Sequence, residues 1–76
     1  MPDSAAKLQR QLGNTVRAER QARKLTQQEL AFEAGLSLTY VGEIERGQRM
    51  ISVDTLQRVA KALNLTASQL LTMAGL

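Results

Sequence analysis

The sequence predicts an all-α domain of five short helices, and three features carry that expectation. Apolar residues recur at intervals of three and four rather than two. Four times, Ser or Thr stands directly after an apolar residue and four positions before another. Glycine closes two of the segments opened in this way. With 76 residues there is room for one domain, so residues 1–76 are read as a single unit whose residues 1–3 fray.

The first helix is marked by Leu8, Leu12 and Val16 and is expected over residues 4–23. The next four begin at the Ser and Thr positions, in the sets Leu25-Thr26-Leu30, Leu36-Ser37-Val41, Ile51-Ser52-Leu56 and Leu65-Thr66-Leu70. Each hydroxyl can accept from an otherwise unpaired first-turn N–H. The apolar residues on either side can close over it as a hydrophobic staple. Glu29 and Gln69 stand three residues after Thr26 and Thr66, where a capping box needs them. Gly35 and Gly47 follow the second and third segments, where a helix ends in a left-handed residue. The expected helices are therefore 4–23, 27–34, 38–46, 53–63 and 67–74. In the fourth, Val53, Leu56, Val59, Ala60 and Leu63 face inward and Asp54, Arg58 and Lys61 outward. In the fifth, Ala67, Leu70, Leu71 and Ala74 form the apolar side. The single proline, at position 2, interrupts none of them.

Composition excludes several classes of function. Without Cys or His there is no disulfide, no thiolate or imidazole metal site and no histidine base, so neither metal nor cofactor is expected. With few acids and no phosphate-cradling glycine loop, no active site can be assembled, and the chain is not expected to be an enzyme. No small-molecule site is evident, and the three Met point to no cofactor. Residues 1–24 lack the apolar core of a secretory signal, and no apolar run approaches a bilayer span. A cytoplasmic protein without membrane contact is expected. Ten Lys and Arg against seven Asp and Glu give a net charge of +3. Lys7, Arg10, Arg17, Arg20, Arg23 and Lys24 crowd the first third, against Asp3 and Glu19. That surface is either a solvated basic face or one that meets phosphates.

The second and third helices carry the functional signal. A short helix ends at Gly35 and another starts three residues later under Ser37, a turn tight enough to set the two at a steep angle. Leu30, Ala31 and Ala34 face inward with Val41 and Ile44. Leu38, Thr39, Gly42, Glu43 and Arg46 are left on an outward face able to enter a major groove. Phe32 falls on the polar side of its helix and is read as local packing rather than a partner site.

The stretch LTQQELAFEAGLSLTYVGEIERGQR resembles the helix-turn-helix of phage repressors, Cro proteins and their bacterial relatives, the XRE-type family. The likeness continues through MISVDTLQRVAKALNLTASQLL, so it spans Leu12 to Leu71. The local run TYVGEIERGQR is similar to controller proteins of restriction-modification systems. The resemblance implies a lambda-repressor-like fold and a sequence-specific transcriptional regulator of double-stranded DNA. It implies base contacts from Ser37, Leu38, Thr39, Tyr40 and Glu43, and phosphate contacts from Thr26, Gln27, Arg46, Gln48 and Arg49. Leu38 is apolar where relatives often carry a polar reader. Glu43 either accepts from a cytosine amino group or repels phosphate. Tyr40 either reads a base or packs its ring on the second helix. Arg20 and Glu45 match a buried ion pair that ties the first helix to the third.

One such domain reaches few base pairs, so the resemblance implies a homodimer on a two-fold operator. Leu65, Leu70, Leu71, Met73 and Leu76 are the candidate interface, or else they fill the core of a monomer. A different class of reading keeps the fold as a protein-interaction module, an antitoxin or adaptor, with Phe32, Leu38 and the apolar C-terminus as contacts.

Overall fold

Five helices in sequence order make up the computed structural model, which describes residues 3–76: α1 (Asp3–Ala22), α2 (Gln27–Ala34), α3 (Leu38–Glu45), α4 (Val53–Ala62) and α5 (Ala67–Met73). Each boundary lies within one residue of its expected place. Asp3 opens α1, and of the residues expected to fray, 1 and 2 lie outside the described residues.

Capping explains why the starts were so legible. The Thr26 hydroxyl accepts from the Glu29 N–H at 3.0 Å, and the Glu29 carboxylate accepts from the Thr26 N–H at 2.8 Å. Thr66 and Gln69 repeat the exchange at 3.0 and 2.9 Å. Ser37 accepts from Tyr40 and Ser52 from Thr55, each at 3.1 Å. The apolar residues before the caps, Leu25, Leu36, Ile51 and Leu65, are half-buried against a core that contains Leu30, Val41, Leu56 and Leu70.

All five helices stop in the same way. A left-handed residue (Lys24, Gly35, Gly47, Asn64 or Gly75) follows each helix. The next N–H then reaches back five residues, from Leu25 to Arg20, Leu36 to Ala31, Gln48 to Glu43, Leu65 to Ala60 and Leu76 to Leu71. Gly35 and Gly47 were expected there. Lys24 and Asn64 were not legible, because a side chain makes that conformation unfavourable and only the reverse hydrogen bond and the half-buried Leu that follows compensate.

The core is built from Val16 of α1, Leu30, Ala31 and Ala34 of α2, Val41 and Ile44 of α3, and the apolar faces of α4 and α5. α1 lies chiefly against α3, and α2 against α3 and α4. The α1–α3 contact depends on a close backbone approach. A Cβ on Gly13 would collide with the carbonyl oxygen of Ile44 and stand 2.9 Å from that of Glu45. A Cβ on Gly47 would meet the Arg10 backbone at 3.0 Å. The end of α3 therefore rests on bare α1 backbone.

Three expectations about apolar residues are corrected here. Val53 does not face inward; at the first position of α4 it is 72% exposed. Leu70 is 0% exposed and belongs to the monomer core, which removes it from any dimer surface. Leu65 and Leu71 pack partly on that core, whereas Met73 and Leu76 stay 48% and 46% exposed. Phe32 does not pack locally. It is 83% exposed, at the rim of a shallow concavity between α2 and α4 that Arg58 and Lys61 also line.

Candidate nucleic-acid interface

The geometry of the α2–α3 unit begins with a buried ion pair. Arg20 lies on the last turn of α1 and Glu45 is the last residue of α3. The Arg20 Nε donates to Glu45 Oε2 at 2.6 Å and Nη2 donates to Oε1 at 3.0 Å, a two-pronged match of guanidinium to carboxylate. The third nitrogen, Nη1, donates to the Leu25 carbonyl at 2.7 Å, so the turn before α2 is held as well. Hydrogen bonding to Glu45 holds the Arg20 charge above arginine's ordinary range, against the opposing effect of burial. Among the described residues no buried polar side-chain atom lacks a partner.

Gln27, the first residue of α2, joins this pair. Its Nε2 donates to Glu45 Oε1 at 3.0 Å. An amide nitrogen carries two hydrogens, so one remains available for an acceptor outside. Glu45 thus fixes where Gln27 points. Beside it the exposed Thr26 caps α2, and the N-terminal turn supplies the positive end of the helix dipole. A shallow concavity is lined here by Arg17, Thr26, Gln27, Gln28, Leu38 and Arg46, over the Arg20–Glu45 pair.

α3 stands at the edge of this concavity with its N-terminal end projecting. Ser37, Leu38 and Thr39 are exposed, Leu38 at 49%, and Ser37 is already engaged as the cap of α3. Tyr40 is half-buried against the core, and its ring lies beneath the Arg49 guanidinium, 5.0 Å from centroid to Cζ. Glu43 is half-buried, with its Oε1 3.7 Å from Arg49 Nε. Arg46 is exposed and donates from Nε to the Gln48 side chain at 3.1 Å. The outward position expected for Gly42 is corrected. It is buried, because Arg46 folds back across it, with Nη1 3.0 Å from where a Cβ would stand.

The structure therefore gathers Thr26, Gln27, Leu38 and Arg46 around one concavity. Tyr40, Glu43 and Arg49 form an adjoining cluster on α3 and the loop after it. Arg17 was expected only as part of the basic first third, and Gln28 not at all. Arg17 was recoverable, since it precedes Arg20 by one helical turn and so shares its face. Gln28 carried no signal that separates it from a solvated helix former.

Comparison with known proteins agrees with the helix-turn-helix fold. A family model described as helix-turn-helix matches residues 16–70. Control protein C.SmaI of Serratia marcescens is 43% identical over 65 residues, covering 86% of this chain and 77% of that protein. Some other curated relatives are longer, and the chain spans about half of their length. The crystal structure of the restriction-modification controller protein C.AhdI from Aeromonas hydrophila superposes with a TM-score of 0.79 at 39% identity, covering 82% of this chain and 94% of that one. A restriction-modification controller protein solved as a tetramer on its natural 35 base-pair operator, C.Esp1396I, gives a TM-score of 0.81 at 25% identity, with 88% of each chain covered.

Proposed function

Because the chain belongs to the helix-turn-helix family of DNA-binding regulators, we propose that it acts as a dimer on a two-fold operator and controls restriction-modification genes. The observation that carries this reading is the placement of α3. Its capped N-terminal end projects beside a concavity rimmed by Arg17, Arg46 and the start of α2. In such a unit the second helix enters the major groove and its first residues meet base edges. Ser37, Leu38, Thr39, Tyr40 and Glu43 are then the reading face. Thr26, Gln27, Arg46 and Gln48, joined by Arg17, hold phosphates, and Arg49 stands at the edge of the reading face. Leu38, with no hydrogen-bonding group, suits a thymine methyl. The role is regulatory rather than catalytic, needs no cofactor, and belongs in the cytoplasm with the DNA it controls. No helix among the described residues is long and apolar enough to cross a membrane.

Selection of bound duplexes from a random pool tests the reading directly. The wild-type chain is expected to enrich a two-fold site with half-sites roughly 34 Å apart, one turn of the double helix. Binding of that site should weaken steeply with salt, since phosphate contacts release counterions. Thr39→Ala and Tyr40→Ala should alter the enriched motif. An unaltered motif in both variants removes α3 from the reading role.

The dimer rests on the apolar surface around α5. Leu65 and Met73 line one concavity there, while Leu71 and Leu76 line another with Leu8 and Met50. Met73→Lys leaves the core intact and places a favourable charge at the end of α5. It also sets two like charges near a two-fold axis. Sedimentation is expected to show a wild-type dimer at micromolar concentration and a monomeric variant. A wild-type chain that sediments as a monomer at high micromolar concentration rules the dimer out.

One observation favours the protein-interaction reading, namely that Phe32 and Leu38 both face solvent. An apolar protein contact loses little affinity as salt rises, so the same salt series separates the two readings.

A further inference from the structure

Arg49 was expected on the phosphates, yet its guanidinium is turned onto the protein's own reading face. It stacks over Tyr40 at 5.0 Å and approaches Glu43 at 3.7 Å. Both partners are anchored. Tyr40 packs against the core and Glu43 is half-buried, so Arg49 covers groups that hold still. Glu43 also poses an electrostatic problem. It is an acid on the face that must approach two strands of phosphate, and repulsion between like charges strengthens as the interface excludes water. A neighbouring cation removes that repulsion without removing the carboxylate's ability to accept a hydrogen bond.

We propose that Arg49 is a positioning residue that acts through Tyr40 and Glu43: it cancels the Glu43 charge and clamps the Tyr40 ring. Glu43 can then enter the groove and select, at the position it faces, a base with an amino donor over guanine or thymine. This inference rests on the DNA-binding reading and assigns Arg49 to specificity rather than to the phosphate backbone. Cytosine presents such a donor, N4, in the major groove, and adenine presents N6 beside its N7 acceptor, whereas guanine and thymine offer only acceptors or a methyl group at their groove edges. With Arg49 in place the acid is a discriminator. Without it, the same acid opposes binding to every sequence and most of all to the site that draws α3 deepest.

Arg49→Ala, Glu43→Gln and the double variant are compared with the wild type on two duplexes, the one the wild type enriches from a random pool and a scrambled control. Arg49→Ala should weaken the enriched duplex about tenfold more than the control, and this difference should shrink to within about twofold in the Glu43→Gln background. If Arg49 grips a phosphate instead, its removal weakens both duplexes alike, lowers the salt slope by about one ion, and ignores Glu43→Gln. That result, or additive effects of the two substitutions, overturns the proposal. Failure of the wild type to enrich any duplex overturns the DNA-binding reading itself, and this one with it. The free protein gives an independent reading. Tyr40 is the only tyrosine and there is no tryptophan, so ultraviolet emission reports on that ring alone. Arg49→Ala should change the emission and leave the melting temperature in place. Unchanged emission means that Arg49 does not hold the ring in solution, and it too overturns the proposal.

Discussion

Gly13→Ala is expected to destabilise the domain severely, although alanine is the better helix former. Position 13 lies inside α1, where replacing Gly by Ala in open solvent gains roughly 1 kcal/mol of helix propensity. Here the new methyl group has no room. It would collide with the Ile44 carbonyl oxygen and stand 2.9 Å from that of Glu45, 3.1 Å from its carbonyl carbon. All three atoms are backbone, so no rotamer change relieves the clash, and α1 and α3 must separate. Overpacking of this kind costs about 1–3 kcal/mol in a core where side chains can move, and more where only backbone can. A net loss of about 3 kcal/mol is expected, which in a domain of this size lowers the melting temperature by roughly 12 °C or more. Thermal unfolding followed by circular dichroism checks it. A Gly13→Ala variant that melts at or above the wild-type temperature shows that the two helices do not approach this closely. The functional consequence follows from position. α3 is aimed by its seat on α1, so a folded remnant of the variant should also bind DNA less well.

The same residue shows where sequence patterning stops. Helix starts were legible because capping is local: Thr26, Ser37, Ser52 and Thr66 each bond within three residues of themselves. The core faces of α2 and α3 were legible because periodicity is local as well. Gly13 was not, because the reason for it lies some thirty positions away in the carbonyls of α3, and nothing in its own neighbourhood registers the contact. Leu70 failed for a related reason. Periodicity marks it as apolar but does not say whether the surface it covers belongs to the same chain or to a second copy. The site divides along the same line. The resemblance supplied Arg20, Gln27 and Glu45 as separate roles, an ion pair and a phosphate contact. Only the structure joins them through the two oxygens of one carboxylate. The placement of Arg49 over Tyr40 and Glu43 likewise depends on the path of the loop after α3, which Gly47 redirects through its left-handed conformation.

Arg20→Ala should unfold the domain far more readily than Arg23→Ala, although Arg23 stands only three residues further on, just past the end of α1, and carries the same charge. Arg23 pairs with Glu19 one turn away at 2.9 Å, with both side chains partly in water. Such a pair contributes about 0.3–0.5 kcal/mol, so its loss should shift melting by no more than about 4 °C. Arg20 is different in what it leaves behind. Its removal strands Glu45, whose side chain is 3% exposed, and frees the Leu25 carbonyl. The remaining Gln27 hydrogen bond does not neutralise a buried carboxylate. Breaking one side of a buried pair costs about 3–5 kcal/mol, mostly the penalty of the uncompensated charge. A melting temperature lower by roughly 12 °C or more is expected. Arg20→Lys keeps the charge but not the planar fork, and should fall between Arg20→Ala and the wild type. Because Arg20's own titration is displaced upward, its contribution is complete at every pH below arginine's ordinary range and is lost only on rising through the displaced value, so it adds no pH dependence near neutrality. The double variant Arg20→Met with Glu45→Leu separates the worth of the pair from the penalty of breaking it. Removing both charges should recover much of the stability that Arg20→Ala loses. It should not recover DNA binding to the same extent, since Gln27 then has no Glu45 to orient it. Equal melting temperatures for Arg20→Ala and Arg23→Ala would mean that Glu45 finds water or another partner, and that the ion pair is not what seats α3 on α1.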